Sequence, residues 1–148
     1  MTTDVQVAIR QALITDAPQI ATLISGMGYP TRPEEMSGRL RLIGSYSDYI
    51  TYVAISRVDN EIVGIVGAGL APYYEKNGLY GRLLVLAVAA SYRSRGIGRL
   101  LVEEIECWFK TKNVDVIVVN SGSSRTEAHR FYERVGFQKT GLRFVKEL

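Results

Sequence analysis

The sequence predicts a single α/β domain over residues 1–148, and three consecutive stretches carry that reading. Leu79 to Ala90 is a long apolar run suited to a strand. Ile97 to about Lys110 has helical periodicity, with Ile97, Leu100, Leu101, Ile105 and Trp108 on one face and Glu103, Glu106 and Lys110 away from it. Val114 to Val119 is almost wholly apolar, the pattern of a strand buried on both faces. Strand, helix and strand in that order pack as two parallel strands joined by a right-handed crossover.

The remaining elements follow in chain order. Val5, Val7 and Ile9 alternate in a strand from Val5 to Leu13. Thr15 or Asp16 caps a helix that carries Pro18 in its first turn and runs to about Ser25. Gly26 to Pro30 breaks it, and Pro33-Glu34-Glu35 opens a second helix that reaches about Gly44. Ile50 to Arg57 and Glu61 to Leu70 are strands joined by a hairpin at Asp59-Asn60. Ala71 to Gly78 is a polar, tyrosine-rich connection. Ser123 or Ser124 caps a last helix with a stripe of Ala128, Phe131, Tyr132 and Val135, and Gly136 is its C-terminal glycine. Phe137 to Lys139 and Leu142 to Leu148 form a closing hairpin about Thr140-Gly141.

Composition narrows the function classes. Apolar residues are 47% and charged residues 22%, as in ordinary globular chains. A net charge of +3 without a long basic run argues against nucleic acid and is compatible with an anionic small ligand. Cys107 is the sole cysteine, which excludes an intramolecular disulfide and a multi-cysteine metal site. Beside Trp108 in a helical pattern, it reads as a buried packing residue. No apolar run approaches the ~20 residues of a membrane span, and no signal-peptide pattern opens the chain, so a cytoplasmic location is expected.

The hexad Arg93-Ser94-Arg95-Gly96-Ile97-Gly98 joins the long strand to the best-defined helix. Such a turn aims several backbone N–H groups at one point, and the helix macrodipole adds partial positive charge there. Glycine lets backbone approach a ligand with no Cβ in the way. Arg93, Arg95 and Arg99 add guanidinium groups that match phosphate oxygens in forked pairs. The alternative is a tight turn on a solvated basic surface. Ligands of open α/β sheets lie beyond the carboxyl ends of the strands, which is where this turn falls.

Two blocks resemble the GNAT superfamily of acetyl-CoA-dependent N-acetyltransferases. Leu86-Ala87-Val88 followed by Tyr92-Arg93-Ser94-Arg95-Gly96-Ile97-Gly98-Arg99-Leu100-Leu101 is similar to that family's strand and its Arg/Gln-x-x-Gly-x-Gly/Ala signature. Ala128-His129-Arg130-Phe131-Tyr132-Glu133-Arg134-Val135-Gly136-Phe137 is similar to its Ala-x-x-Phe/Leu-Tyr-x-x-x-Gly-Phe segment, roughly thirty residues further on. The resemblance implies a mixed, mostly antiparallel twisted sheet of about seven strands with a central parallel pair and about four flanking helices. It implies an acyltransferase that moves the acetyl group of acetyl-CoA directly to a primary amine of a small molecule or protein, with no metal. Neither nucleic acid nor membrane is an expected partner, and a homodimer is the expected assembly.

Residue by residue, the resemblance assigns Ser94, Arg95, Gly96, Ile97, Gly98 and Arg99, with Arg93, to the coenzyme pyrophosphate. Leu86, Ala87 and Val88 match the strand whose backbone pairs with the pantetheine arm, and the Val88 N–H falls near the thioester carbonyl. Their side chains are core. Tyr132 matches the tyrosine that gives a proton to the leaving thiolate. Three positions depart from the family pattern: Ala90 stands where a proline is frequent, Arg125 where an asparagine often contacts coenzyme, and Asn120 where some members carry a glutamate base. Arg125 is assigned to a coenzyme phosphate or to the acceptor. Asn120 cannot take a proton, so the base is a water chain or lies elsewhere, with Glu75, Asp48 and Glu61 as candidates by type; this also motivates an alternative reading as a coenzyme A-binding or regulatory module without turnover. His129, the sole histidine, precedes Glu133 by one turn and Tyr132 by three residues, so it reads either as an exposed helix pair or as a base near the site. Tyr29, Arg32, Tyr73 and Tyr74 are the candidate acceptor-pocket residues.

Overall fold

The computed structural model describes residues 6–121 and 126–148. The chain divides into two compact units, Met1–Val118 and Val119–Leu148.

The described sheet has the order β1 (Val7–Gln11), β2 (Tyr49–Ser56), β3 (Ile62–Pro72), β4 (Leu79–Val88) and β5 (Ile117–Val119), all of it but Val119 in the first unit. The β1–β2, β2–β3 and β3–β4 ladders are all antiparallel. β5 follows β4, and the Gly81 N–H donates to the Val116 carbonyl at 2.8 Å. Three helices belong to this unit: α1 (Ala17–Gly26), α2 (Pro33–Gly44) and α3 (Ile97–Thr111).

Strand alternation sends neighbouring residues to opposite faces of the sheet. Val53, Ile65 and Ala87 join Ile20, Leu23, Met36 and Leu40 in the core under α1 and α2. Gly64 lies under α3 instead: a Cβ there would sit 2.9 Å from Leu101 and 3.3 Å from Ile97. Ile97, Leu101, Val102, Ile105 and Phe109 are the buried residues of α3. Two bulges bend the sheet. In the β3–β4 ladder Gly67 pairs with Val85 and Ala68 with Leu83, so Leu84 is the extra residue on β4.

Asp16 takes a different role from the expected helix cap. Its side chain makes no cap bond to α1. It is one of two buried polar residues among those described. Its carboxylate accepts from Arg10 at 2.7 and 2.9 Å and from the Leu13 N–H at 2.7 Å. The Arg10 hydrogen bond, with the Leu13 N–H and the Arg10 charge, holds this carboxyl below the usual carboxylate range against the opposing effect of burial. Stability tied to a lowered carboxyl pKa is fully present above the unfolded value and is lost as pH falls through the folded one. Asp16→Ala is therefore expected to cost about 2–3 kcal/mol at pH 7, lowering Tm by roughly 4–12 °C. The Tm difference between wild type and variant should shrink as a melting series is taken into acid. A difference that persists below the folded-state pKa would count against the ion pair.

Several expectations are corrected. The described residues form five strands rather than about seven, and the β4–β5 pair lies at the end of the described sheet rather than at its centre. Residues 137–148 adopt no strand, and Leu142, Phe144 and Val145 are exposed. Apolar alternation gives a strand only where a neighbour takes up its backbone groups. β5 is shorter than expected, and Val116 (42% exposed) and Val118 (39%) are not sealed on both faces, as befits the last strand of the described sheet. The buried stripe of α3 follows the row 97–101–105–109, so Val102 and Phe109 replace Leu100 and Trp108. That rotation also exposes Cys107, which is not a packing residue.

In the second unit, α4 (Thr126–Arg134) ends where Gly136 adopts φ +102° and its N–H donates to the Glu133 carbonyl at 3.1 Å. The capping serines Ser123 and Ser124 lie outside the described residues. No described helix is long and apolar enough to cross a membrane.

Candidate active site

β4 ends with the Ala89 N–H donating to the Val63 carbonyl at 2.8 Å, and a single 3-10 turn, Ala90–Tyr92, follows. Ser94 (φ +62°) and Gly96 (φ +84°) then take the left-handed conformation, and α3 starts at Ile97. Left-handed backbone is costly for most residues and open to glycine. A Cβ built on Gly96 would meet no atom of the described residues within 4 Å, so backbone there is open to close approach. The first bond into α3 is Leu100 N–H to Gly96 carbonyl, 3.1 Å. The N–H groups from Ile97 onward therefore precede the helical ladder and point out of its N-terminus.

The charged side chains brace this turn. Arg93 Nε donates to the Val88 carbonyl at 3.1 Å, tying the turn back to the last residue of β4. The Arg95 guanidinium lies 5.3 Å from the centroid of the Tyr92 ring. The Tyr92 hydroxyl reaches Ser56 Oγ at 3.4 Å, across to the end of β2. Arg93 and Arg95 remain exposed.

Ladder geometry separates the three β4 residues. The Ala89 to Val63 bond makes that pair a hydrogen-bonded one, and such pairs alternate along an antiparallel ladder. Ala87, opposite Ile65, thus spends its backbone groups on β3. Leu86 and Val88, opposite Val66 and Gly64, turn theirs away from β3. The Val88 carbonyl meets Arg93 on that side. The backbone groups of Ala87 therefore face β3, and those of Leu86 and Val88 face away from it.

In the second unit the half-buried Tyr132 ring packs edge-on against Phe131 (5.7 Å) and Phe137 (5.6 Å). The Phe137 N–H donates to the Tyr132 carbonyl at 2.9 Å. His129 is half-buried and Asn120 exposed. Arg125 lies outside the described residues.

Of the acceptor-pocket candidates, Tyr73 and Tyr74 line a pocket of about 440 Å³ with Glu75, Tyr80, Val116 and Val118. Tyr73 and Tyr80 stack at 5.0 Å, and the Lys76 ammonium stands 4.4 Å from the Tyr73 ring centroid. Tyr29 and Arg32 are not part of that lining. Tyr29 is exposed, and Arg32 pairs with Glu34 (3.2 Å) and Glu35 (3.3 Å). Asp48, Glu61 and Glu75 are exposed. Asp48 and Glu61 flank opposite ends of the β2–β3 hairpin, so no shared site collects them.

The acetyltransferase (GNAT) domain model matches residues 47–139, which takes in β2 to β5, the glycine turn and α4. The chain belongs to the GNAT acetyltransferase family. GNAT members use acetyl-CoA and an acceptor. An uncharacterised N-acetyltransferase of Methanocaldococcus jannaschii is 28% identical over 102 residues, 68% of this chain and 62% of that protein. A GNAT family acetyltransferase of Staphylococcus aureus superposes with a TM-score of 0.82 at 28% identity, over 96% of this chain and 98% of that one. An aminoglycoside N-acetyltransferase solved with coenzyme A has the same fold, with a TM-score of 0.85 at 16% identity over 97% and 95%. The chain spans 41% and 62% of the length of two curated relatives it matches.

Two features escaped sequence reading. The Arg93 to Val88 link is local, but only the turn's dihedrals make it. The bulge at Leu84 depends on cross-strand register, which no single strand displays.

Proposed function

We propose that the chain is an N-acetyltransferase that moves the acetyl group of acetyl-CoA directly to a primary amine. The observation that carries this is the turn at Ser94 and Gly96. It is left-handed at both residues, open above Gly96, and leads straight into the N-terminus of α3. That arrangement suits a pyrophosphate held by backbone N–H groups. Ser94, Arg95, Gly96, Ile97, Gly98 and Arg99 are its proposed holders. Arg93 holds the turn to β4 through Val88 and so positions rather than binds. Leu86 and Val88 offer outward backbone groups to the pantetheine arm. The Val88 N–H is the proposed donor to the developing oxyanion. Arg125 is kept as a proposed phosphate or acceptor contact on its position in sequence.

In the proposed reaction a neutral amine attacks the thioester carbon to form the new C–N bond, the attacking nitrogen gives up a proton to water, and the tetrahedral oxyanion collapses as the C–S bond breaks. Tyr132 gives the leaving thiolate its proton and regains one from solvent. A thiol of pKa ~8.5 is a moderate leaving group, so the tyrosine assists without being indispensable. Holding both reactants together supplies rate through orientation. Tyr132→Phe is therefore expected to lower kcat by about 10–100-fold, while stabilisation by acetyl-CoA is retained. Stopped-time assays with a panel of amines check it. Unchanged kcat would remove Tyr132 from the mechanism. Coenzyme binding by a wild type that turns over no amine would favour the binding module that Asn120 suggests. A cytoplasmic homodimer is the proposed setting.

A further inference from the structure

β3 carries glycine at 67 and 69, which alternation places on one face of the sheet, the face of α1 and α2. Glycine weakens a strand interior, and its use here has a spatial consequence. A Cβ at Gly69 would lie 2.7 Å from the Tyr49 ring and 3.3 Å from Leu84, and one at Gly67 would lie 3.0 Å from Val85. The glycines thus make room for Tyr49, Leu84 and Val85, and a hollow of about 360 Å³, lined in part by Gly67, lies beside these side chains between α2 and the sheet. Met36, Leu40 and Ile43 of α2 form its roof, and Tyr49, Leu84 and Val85 stand along the sheet side. Leu84 is the bulged residue of β4, 47% exposed at the mouth.

Among the described residues the lining contains no carboxylate, and its one charged residue, the exposed Arg39, is a cation. Arg39 Nη1 donates to Thr31 Oγ1 at 2.9 Å. A polycationic ligand would find no counter-charge here and would meet Arg39. Apolar matter is the suitable content, since removing apolar surface from water drives its burial. A dry cavity of about 150 Å³ takes a benzene ring, and ligand sites run from about 300 Å³ upward. The cavity also abuts the proposed coenzyme strand. Val85 in its wall lies three residues before Val88, about 10 Å along β4.

We infer that this cavity receives a ring-sized apolar group of the acceptor amine, so that the substrate class is an arylalkyl or comparably hydrophobic primary amine. The inference rests on the acetyltransferase reading above.

The test compares 2-phenylethylamine, ethylamine and spermidine as acceptors, with acetyl-CoA and the full chain. Wild type should show kcat/KM for 2-phenylethylamine at least about tenfold above that for ethylamine, with spermidine the poorest. Leu84→Trp fills the cavity from its mouth and should collapse the phenylethyl-to-ethyl ratio towards one, with the thermal shift given by acetyl-CoA retained. Ile43→Trp fills it from α2 as an independent check on folding. Arg39→Glu should raise the relative use of spermidine. Saturation-transfer NMR of 2-phenylethylamine with coenzyme A present reads the cavity apart from turnover.

Spermidine preferred by wild type, or an unchanged ratio in both tryptophan variants, overturns the inference and leaves acetyl transfer standing. Phenylethylamine binding lost in both variants, with no amine turned over by wild type, keeps the cavity's ligand class and overturns acetyl transfer. Neither binding nor turnover overturns both.

Discussion

Gly96→Asp is expected to abolish stabilisation by acetyl-CoA while leaving the protein folded. Gly96 sits at φ +84°, and its missing Cβ would meet no atom of the described residues. Aspartate is among the residues that tolerate left-handed backbone, so the substitution should cost the free protein only about 1 kcal/mol. Its carboxylate would stand over the N-terminus of α3, where the proposed pyrophosphate binds. With coenzyme at 100 times Kd, wild type should gain about 2.7 kcal/mol, or roughly 5–11 °C in Tm. The variant should gain less than about 1 °C under the same conditions. Gly96→Asn, which shares the backbone tolerance without the charge, should keep part of the shift. Equal shifts in wild type and both variants would move the coenzyme away from this turn. Loss in both, with charge making no difference, would show that close backbone approach matters more than electrostatics.

The sequence made this turn legible because all its information is local. An apolar strand, two glycines two apart and an amphipathic helix specify the geometry within twenty residues, and the second unit's Tyr132 and Gly136 read the same way. What it hid is information that arises between segments. The α3 stripe was misplaced by one residue because Trp108 and Phe109 are adjacent and both apolar. Only packing against Gly81 decides that Phe109 goes inward. Cys107 followed the same error, since side-chain type suggested burial while helix angle exposes it. Asp16 looked like a cap by type, yet Arg10 on β1 claims it. The hollow between α2 and the sheet is not legible in the sequence, because its lining comes from α2, β2, β3 and β4, which are far apart along the chain. The closing hairpin failed for the converse reason. A turn at Thr140-Gly141 can be read locally, but pairing is a property of two strands.

Phe109→Ala should be the most destabilising single change in the first unit, and its dependence on Gly81 makes the reason testable. Phe109 is 1% exposed near the end of α3, and its ring lies over Gly81 on β4. A Cβ at Gly81 would sit 2.6 Å from two ring carbons and 2.9 Å from a third. Truncating a buried phenylalanine costs about 3–5 kcal/mol, which corresponds to a fall in Tm of roughly 6–20 °C. Gly81→Ala should also destabilise, by about 1–3 kcal/mol, because the ring has to leave its place against the sheet. The two effects share one contact and should not add. In a Phe109→Leu background, Gly81→Ala should cost less than half of what it costs alone, a coupling of about 0.5–3 kcal/mol. Additive losses by chemical denaturation would show that the ring and the glycine do not set each other's position. The same glycine lets α3 lie close to the sheet while the Gly81 N–H holds Val116 at 2.8 Å.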